Sequence, residues 1–240
     1  MTPPVYVLAT SWPRRIAYVP RMVEKVRAQT VRSAALWLTL ARDEFPDGAP
    51  EEVAALQDGW FTVRWVERNT RTMKKVLPAL GDIPDGALIL DVDEDIDIPR
   101  PLVEYRLRDW ERDGRSGAVS SFLSPDPTLG GSTHLAACSL IPVEGLRHAD
   151  DWVDAEVLAT GNDDGVYDFL CWCNGVPVRY CSTLSYWTAP QEGGVNLSDF
   201  GLQGAATYVD MMTFYRTVMP KVEAAYGRPF GACFGITKGR

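Results

Sequence analysis

Residues 87–99 have the sequence Ala87-Leu-Ile-Leu-Asp91-Val-Asp93-Glu-Asp95-Ile-Asp97-Ile-Pro99, an apolar run followed by closely spaced carboxylates. The apolar run is typical of a strand that is covered on both faces, as in a parallel sheet. In open α/β sheets, ligands bind in the crevice outside the carboxyl ends of the strands. Carboxylates packed this closely repel one another unless a cation lies among them. The segment therefore predicts a divalent metal site, and a metal at such a position usually holds phosphate.

Three kinds of site use closely spaced aspartates, and a solvated acidic turn is the simplest alternative to all of them. A calcium loop starting at Asp93 would have Glu104 at its twelfth position, but Ile98 stands where this loop requires glycine. An aspartyl-phosphate phosphatase would use Asp91 as nucleophile and Asp93 as acid, but that motif normally follows the first strand. A metal–diphosphate site, with Asp-x-Asp holding Mn²⁺ or Mg²⁺ against a nucleotide-sugar, fits the position after several strand–helix units. Taken alone, the three-letter motif favours the acidic turn.

The bulk composition is that of a globular protein with 240 residues, a formal net charge of −8 and 46% hydrophobic residues. This length allows one large α/β domain. The negative charge argues against a protein that binds duplex nucleic acid, which would present a basic face. A nucleotide ligand remains compatible with this charge, because a metal and a few local cations supply positive charge where it is needed.

The cysteine content and the absence of targeting segments predict a cytoplasmic protein. Residues 1–7 lead directly into a strand and show no secretory signal. No apolar stretch approaches the ~18 residues of a transmembrane helix. The five cysteines are an odd number, which favours reduced thiols. Cys171 and Cys173 lack the spacing and partner ligands of a zinc site, and we expect both to be structural.

The first half of the chain alternates strand and helix patterns, which indicates βαβ units and a mostly parallel sheet. Strands are predicted at residues 5–9, 36–40, 61–66, 87–90 and 118–122, and helices at residues 20–26, 73–80 and 102–110. Pro78 is expected to bend or shorten the helix at 73–80. The second half is less regular, with a predicted strand at 139–143 and a helix at 165–174 that ends at an Asn-Gly pair. Residues 191–204 are predicted to form a mobile loop, and residues 207–225 a closing helix.

Several short segments accompany the acidic stretch in a characteristic order. They are Thr10-Ser-Trp-Pro-Arg-Arg-Ile16, Leu36-Trp-Leu-Thr-Leu40, Glu44-Phe-Pro46, Lys74-Lys-Val-Leu-Pro-Ala-Leu80, Pro84-Asp85, Gly161-Asn-Asp-Asp-Gly-Val-Tyr167 and Asn174-Gly-Val-Pro177. As a set, over residues 5–180, they resemble bacterial glycosyltransferases of the GT-A fold, of the capsular-polysaccharide type. The sequence departs from that pattern at Glu94, where an aspartate is usual, and after Ser182, where no family pattern matches.

The resemblance implies a GT-A-like, Rossmann-related α/β fold with a mixed, mostly parallel sheet flanked by helices. It implies one domain over residues 1–240, in which residues 1–100 form the nucleotide-binding half. Residues 101–240 would form the acceptor half with a mobile C-terminal region. The expected donor is a nucleotide-diphosphate sugar, most readily a UDP-sugar, with Mn²⁺ or Mg²⁺ as cofactor. The acceptor would be the hydroxyl group of a carbohydrate or small molecule.

The same resemblance assigns roles to individual residues. Asp93 and Asp95 would be the metal pair, with Asp93 also near the ribose, and Asp91 would support them or cap the strand. Donor-binding roles are expected for Thr10, Ser11, Arg15, Arg71, Lys75 and Asp93. Thr10 would contact the base or ribose, Arg15 the diphosphate and Lys75 a phosphate oxygen. A surface position on an amphipathic helix is the alternative for Lys75.

Asp164 is the candidate general base. A transfer with inversion needs a carboxylate to take the proton of the acceptor hydroxyl as it attacks the anomeric carbon. The adjacent Asp163 would raise the proton affinity of Asp164. A structural alternative is that Asn162 or Asp163 caps the helix predicted to start near Gly165.

Two other functions stay open at the level of the sequence. A nucleotidyltransferase shares the sheet and the metal acids, but it would have a glycine-rich loop directly after the first strand, and residues 10–15 carry arginines without glycines. A non-catalytic nucleotide-sugar-binding protein is the other alternative, and the presence of Asp164 argues mildly against it.

Overall fold

The computed structural model describes residues 2–120, 122–123, 133–149, 153–159 and 163–181. The strands of this part of the chain are β1 (Val5–Thr10), β2 (Ala35–Ala41), β3 (Phe61–Val66), β4 (Leu88–Asp91), β5 (Ala118–Ser120), β6 (Phe122–Leu123), β7 (Thr133–His134), β8 (Leu140–Pro142) and β9 (Val178–Tyr180). Seven of them form one sheet in the order β3-β2-β1-β4-β8-β5-β9, and β6 pairs with β7 in a second sheet.

Helices of the described ranges connect these strands. The α-helices are α1 (Val19–Arg27), α2 (Glu51–Ala54), α3 (Leu102–Arg112), α4 (Ala155–Ala159) and α5 (Asp163–Cys173). Short 3-10 helices cover Ile16–Tyr18, Arg71–Lys75, Leu77–Asp82 and Val143–Leu146. None of the helices in the described ranges is long and apolar enough to cross a membrane.

The large sheet is mixed but mostly parallel. β1 pairs in parallel with β2 and with β4, β2 with β3, and β5 with β9. β8 runs antiparallel to both of its neighbours, β4 and β5. The carboxyl ends of β1 to β4 therefore open on one edge of the sheet, which is where ligands bind in such folds. The predicted α/β fold with a mixed, mostly parallel sheet flanked by helices is confirmed.

The central strands are buried on both faces, as the apolar run before Asp91 predicts. Side chains that alternate along a strand point to opposite faces of the sheet. Val7 and Leu90 accordingly belong to one apolar cluster, and Leu8 and Ile89 belong to the other. All four side chains are at most 1% exposed, so the sheet lies between two cores.

Several element predictions needed correction. The helix predicted at 73–80 is a pair of 3-10 helices, because Pro78 cannot donate the backbone hydrogen bond that a continuous α-helix requires. The strand predicted at 118–122 ends at Ser120, and residues 122–123 join the second sheet instead. Helix α5 begins at Asp163, two residues before the predicted start. The predicted loop at 191–204 and helix at 207–225 lie outside the described residues.

Candidate active site

The strand β4 ends in a buried carboxylate. The backbone N–H of Asp91 donates to the carbonyl of Ser139 at 3.1 Å, and its carbonyl accepts from the N–H of Cys138 at 2.6 Å. These two bonds hold the strand end against the segment before β8. The Asp91 side chain is 1% exposed, although burial of a carboxylate is costly unless it has a charged or hydrogen-bonded partner.

Lys75 supplies that partner from the 3-10 helix between β3 and β4. Its ammonium nitrogen lies 2.6 Å from Oδ1 of Asp91, 2.7 Å from Oδ1 of Asp93 and 3.4 Å from Oδ2 of Asp163. The lysine side chain is 2% exposed, so the surface position considered for it is wrong. Its expected contact with a phosphate oxygen stays a prediction.

The first turn of α5 brings two more carboxylates to the same place. Asp163 and Asp164 open this helix, where negative side chains are favoured by the exposed N–H groups and the helix dipole. One carboxylate oxygen each from Asp91, Asp163 and Asp164 lies within 4.8 Å of the others. The capping role considered for Asp163 is compatible with this position, and Asn162 lies outside the described residues.

Two buried polar groups of this cluster lack a hydrogen-bond partner among the described residues. The Asp91 carboxylate is the first group, and its partner in the structure is the charge of the Lys75 ammonium, 2.6 Å from Oδ1. The hydroxyl of Tyr167 is the second group, and its side chain is fully buried. Tyr167 follows Asp163 by four residues on α5, so both lie on one helix face.

The carboxyl groups of the cluster differ in pKa, because burial and neighbouring charges act on each of them differently. Burial, opposed by Lys75 and reinforced by Asp93 and Asp163, raises the pKa of Asp91 to about 7. Burial and the charges of Asp163 and Asp91 raise the pKa of Asp164 well above its usual range. Burial also acts on Asp93, but the charges of Lys75 and Arg15 together outweigh it and lower the pKa of that carboxyl. The site thus holds carboxyls with both raised and lowered pKa, a pattern common where proton transfer is carried out.

The loop after β1 contacts the acids that follow β4. The Arg15 guanidinium lies 2.9 Å from Oδ2 of Asp95, and the Ser11 hydroxyl donates to Oε1 of Glu94 at 3.1 Å. Burial, together with the charges of Asp93 and Asp95, raises the pKa of Glu94 to about 7. Sequence reasoning missed this role of Glu94, because it treated the residue only as a departure from the family pattern.

Other predicted donor-binding residues differ in their surroundings. The Thr10 hydroxyl donates to the carbonyl of Thr39 at 2.7 Å, which ties the end of β1 to β2. Arg71 is exposed and has a positive φ of 55°. Its backbone N–H donates to Oδ1 of Asn69 at 2.9 Å. The structure therefore brings Arg15, Ser11 and Lys75 to the acidic edge, whereas it gives Arg71 no contact there among the interactions of the described residues.

Helix α5 is held in place from its C-terminal end. Asn174 donates side-chain hydrogen bonds to the carbonyls of Gly145, Arg147 and Leu170 at 3.1, 2.8 and 3.0 Å. Gly145 also packs so closely against the helix that a Cβ there would lie 2.9 Å from Sγ of Cys171. The position of Asp163 and Asp164 relative to β4 therefore depends on contacts more than two helical turns away.

The donor set suits a hard divalent cation. Carboxylate oxygens are the ligands that Mn²⁺, Mg²⁺ and Ca²⁺ prefer. The predicted metal pair, Asp93 and Asp95, is engaged by Lys75 and Arg15 respectively, and its metal-binding role stays a prediction. Asp91, whose carboxylate contacts the Lys75 ammonium, lies in a group of three carboxylates that meets the same chemical requirement.

Comparison with solved structures identifies the fold. No family model matches the chain, and no curated protein matches it by sequence. S. aureus TarS 1-349 in complex with UDP matches with a TM-score of 0.53 and 14% identity, over 88% of this chain and 64% of that one. A second structure of S. aureus TarS 1-349 matches with a TM-score of 0.52 and 13% identity, over 76% of this chain and 59% of that one. The chain thus spans less than two thirds of the TarS fragments.

A cytidylyltransferase has a comparable likeness. Francisella tularensis 2-C-methyl-D-erythritol 4-phosphate cytidylyltransferase (IspD) matches with a TM-score of 0.51 and 11% identity, over 82% of this chain and 97% of that one. At these identities the likeness concerns the fold alone. The GT-A-like, Rossmann-related architecture expected from the sequence is confirmed, while membership of the capsular-polysaccharide group stays a prediction.

Proposed function

We propose that this protein is a nucleotide-sugar-dependent glycosyltransferase, which moves a sugar from a nucleotide-diphosphate donor, most readily a UDP-sugar, to a hydroxyl acceptor. One observation carries the proposal: the loop after β1, the acids after β4 and the first turn of α5 converge at one edge of the sheet. Arg15 of the first segment contacts Asp95 of the second. Lys75, from the 3-10 helix between β3 and β4, joins the second segment to the third through Asp93 and Asp163. The TarS neighbour is in complex with UDP, which supports a nucleotide ligand for this protein.

The residues at this edge divide into a donor side and an acceptor side. On the donor side, the Arg15 guanidinium would leave Asp95 to contact a diphosphate, since a guanidinium matches phosphate oxygens in a bidentate geometry. Ser11 and Thr10 are placed at the end of β1, where the nucleoside would lie. A divalent cation held by the acidic cluster would neutralise charge on the diphosphate as it leaves.

On the acceptor side, Asp164 is the proposed general base. The acceptor oxygen attacks the anomeric carbon, the bond from that carbon to the diphosphate oxygen breaks, and the hydroxyl proton passes to the Asp164 carboxylate. The raised pKa of Asp164 strengthens it as a base once it is ionised. Asp163, which is beside it and contacts Lys75, keeps the first turn of α5 close to β4.

A nucleotidyltransferase is the second candidate, because the IspD neighbour is covered almost completely, over 97% of its chain. Such an enzyme would bind a nucleoside triphosphate and attach its nucleotide to a phosphate. A glycosyltransferase would instead bind a nucleoside diphosphate and its sugar conjugates. The loop at residues 10–15 lacks the glycines that cradle a triphosphate, which favours the glycosyltransferase.

A thermal-shift panel tests the proposal. The full chain is melted with UDP, GDP, ADP, CDP, CTP and representative UDP-sugars, each with and without Mn²⁺. A ligand that binds the folded state raises the melting temperature by mass action. We expect the largest shift from one nucleoside diphosphate and its sugar conjugates in the presence of Mn²⁺. A shift confined to CTP would favour the nucleotidyltransferase, and no metal-dependent shift with any nucleotide would refute the proposal.

A further inference from the structure

Three carboxylates from two distant segments of the chain form a compact group. Asp91 ends β4, and Asp163 and Asp164 open α5, yet one oxygen of each lies within 4.8 Å of the others. Oxygens that bind one divalent cation at 2.0–2.6 Å lie roughly 3–5 Å from one another. The group therefore has the spacing of a cation site without any backbone rearrangement.

A buried hydroxyl group beside the three carboxylates also points to a bound ion or water. The hydroxyl of Tyr167 is fully buried and has no hydrogen-bond partner among the described residues. Its phenol lies within electrostatic range of Asp91, Asp163 and Asp164. Buried polar groups without partners are uncommon in folded proteins, and a bound water or ion is one of the recognised explanations. A water molecule on a bound cation would supply the partner that Tyr167 lacks.

Lys75 is the cation that contacts this group in the structure. Its ammonium is 2.6 Å from an Asp91 oxygen and 3.4 Å from an Asp163 oxygen, and its side chain is buried. It carries one positive charge against the carboxylates of Asp91, Asp93 and Asp163. An ammonium and a divalent cation cannot both lie close to the same Asp91 oxygens without strong repulsion in a buried site.

We propose that Asp91 and Asp163, beside the candidate base Asp164, form a divalent-cation site for which Lys75 is a built-in competitor. The ammonium keeps the two segments together when no metal is bound, and it must withdraw from Asp91 when a metal enters. This inference rests on the proposed function only for the expectation of a metal. It differs from the sequence-based expectation in the residues that bind the cation, which were Asp93 and Asp95 in that expectation.

Direct binding of Mn²⁺ tests this site, with the neighbouring lysine as a matched control. Lys74 precedes Lys75, has a side chain that is 3% exposed, and forms an ion pair with Glu44 at 2.7 Å, outside the acidic group. Isothermal titration of the purified full chain with Mn²⁺, without nucleotide, compares the wild type, Lys75→Met and Lys74→Met. We expect Lys75→Met to bind Mn²⁺ about ten-fold more tightly or better, and Lys74→Met to match the wild type.

Ligand identity is tested in the Lys75→Met background. Adding Asp91→Asn should abolish the tight Mn²⁺ binding, and adding Asp95→Asn should leave it unchanged. Mn²⁺ binding by Lys75→Met that equals or falls below that of the wild type overturns the proposal. So does tight binding that is lost with Asp95→Asn and kept with Asp91→Asn. Failure of every nucleotide to bind would refute the proposed function, but the Mn²⁺ titrations would still test the cation site, because they contain no nucleotide.

If Lys75→Met does not fold without metal, its folding is followed by circular dichroism instead. Three carboxylates then lack their counter-ion. Mn²⁺ should restore the wild-type circular dichroism spectrum, whereas NaCl at equal ionic strength should not. Recovery by Mn²⁺ alone supports the site. Absence of recovery with either salt overturns it, as does equal recovery with both.

Discussion

The ammonium of Lys75 lies 3.4 Å from a carboxylate oxygen of Asp163, which joins the connection between β3 and β4 to the first turn of α5. These residues are 88 positions apart in the chain. The same ammonium contacts Asp91 and Asp93. A single buried charge therefore links the proposed donor side of the site to the helix that carries the candidate base.

Replacing Asp164 with Asn should remove catalysis and preserve donor binding. The amide cannot accept the proton of the acceptor hydroxyl, and loss of a general base typically costs about 10²–10⁴-fold in rate. Turnover is measured as release of the nucleoside diphosphate from the UDP-sugar that binds best, and donor affinity by titration calorimetry. Asp47→Asn, at an exposed position, is the control and should behave as the wild type. Unchanged turnover in Asp164→Asn would contradict the assignment of the base.

Replacing Asp163 with Asn should lower kcat/KM by weakening the cation site, and it should move the acid limb of the pH profile of the remaining activity to lower pH. After burial, the charge of Asp163 is the largest influence that raises the pKa of Asp164. Without that charge the pKa of Asp164 falls, so the base is ionised at lower pH and activity persists there. The profile is recorded from pH 4.5 to 9, with Asp97→Asn as the control, since Asp97 is exposed and pairs with Lys25 instead. A shift toward higher pH would show that Asp163 acts on Asp164 in some other way.

Replacing Arg15 with Met should weaken binding of the nucleoside diphosphate about ten-fold or more, because a charged hydrogen bond to phosphate is worth about 1.5–3 kcal/mol. The dissociation constant is measured by titration calorimetry at fixed Mn²⁺. Arg14→Met is the matched control, since Arg14 is the exposed neighbour and its guanidinium lies over the Trp12 ring. Equal affinities of Arg15→Met and the wild type would exclude Arg15 from the donor site.

Replacing Glu94 with Gln should stabilise the fold at pH 8 and have much less effect near pH 4.5. The pKa of Glu94 is raised from 4.5 to about 7, so the folded state binds more protons than the unfolded state in this window. Stability is therefore lost as the pH rises through the folded pKa, by at most about 3 kcal/mol. The amide oxygen of Gln still accepts from Ser11 and carries no charge.

The free energy of unfolding of Glu94→Gln is measured by urea denaturation in EDTA at both pH values. Glu67→Gln is the control, because the Glu67 side chain is 92% exposed and its replacement should change stability little at either pH. A gain of equal size at pH 4.5 and pH 8 would contradict the assignment of a raised pKa to Glu94.

The apolar run at 87–90 and the carboxylates after it were enough to predict a buried parallel strand with a charged carboxyl end. The strand and its burial are confirmed. The predicted helix at 73–80 was wrong, because the apolar spacing was helical but Pro78 and the tertiary position of Lys75 favoured two 3-10 helices. The burial of Lys75 could not be predicted from the local sequence, because an adjacent lysine and apolar neighbours are equally typical of a surface helix.

Local sequence by itself determined which segments are strands and that carboxylates stand at the end of one of them, since side-chain alternation and turn residues act over a few positions. Only the tertiary structure decided which charges meet. Asp91 and Asp163 share Lys75, and Arg15 selects Asp95, because the crossovers of a parallel sheet bring remote segments to one edge. Ion pairs between such segments depend on the distance between their side chains in the folded protein, and this distance cannot be deduced from their separation in the sequence.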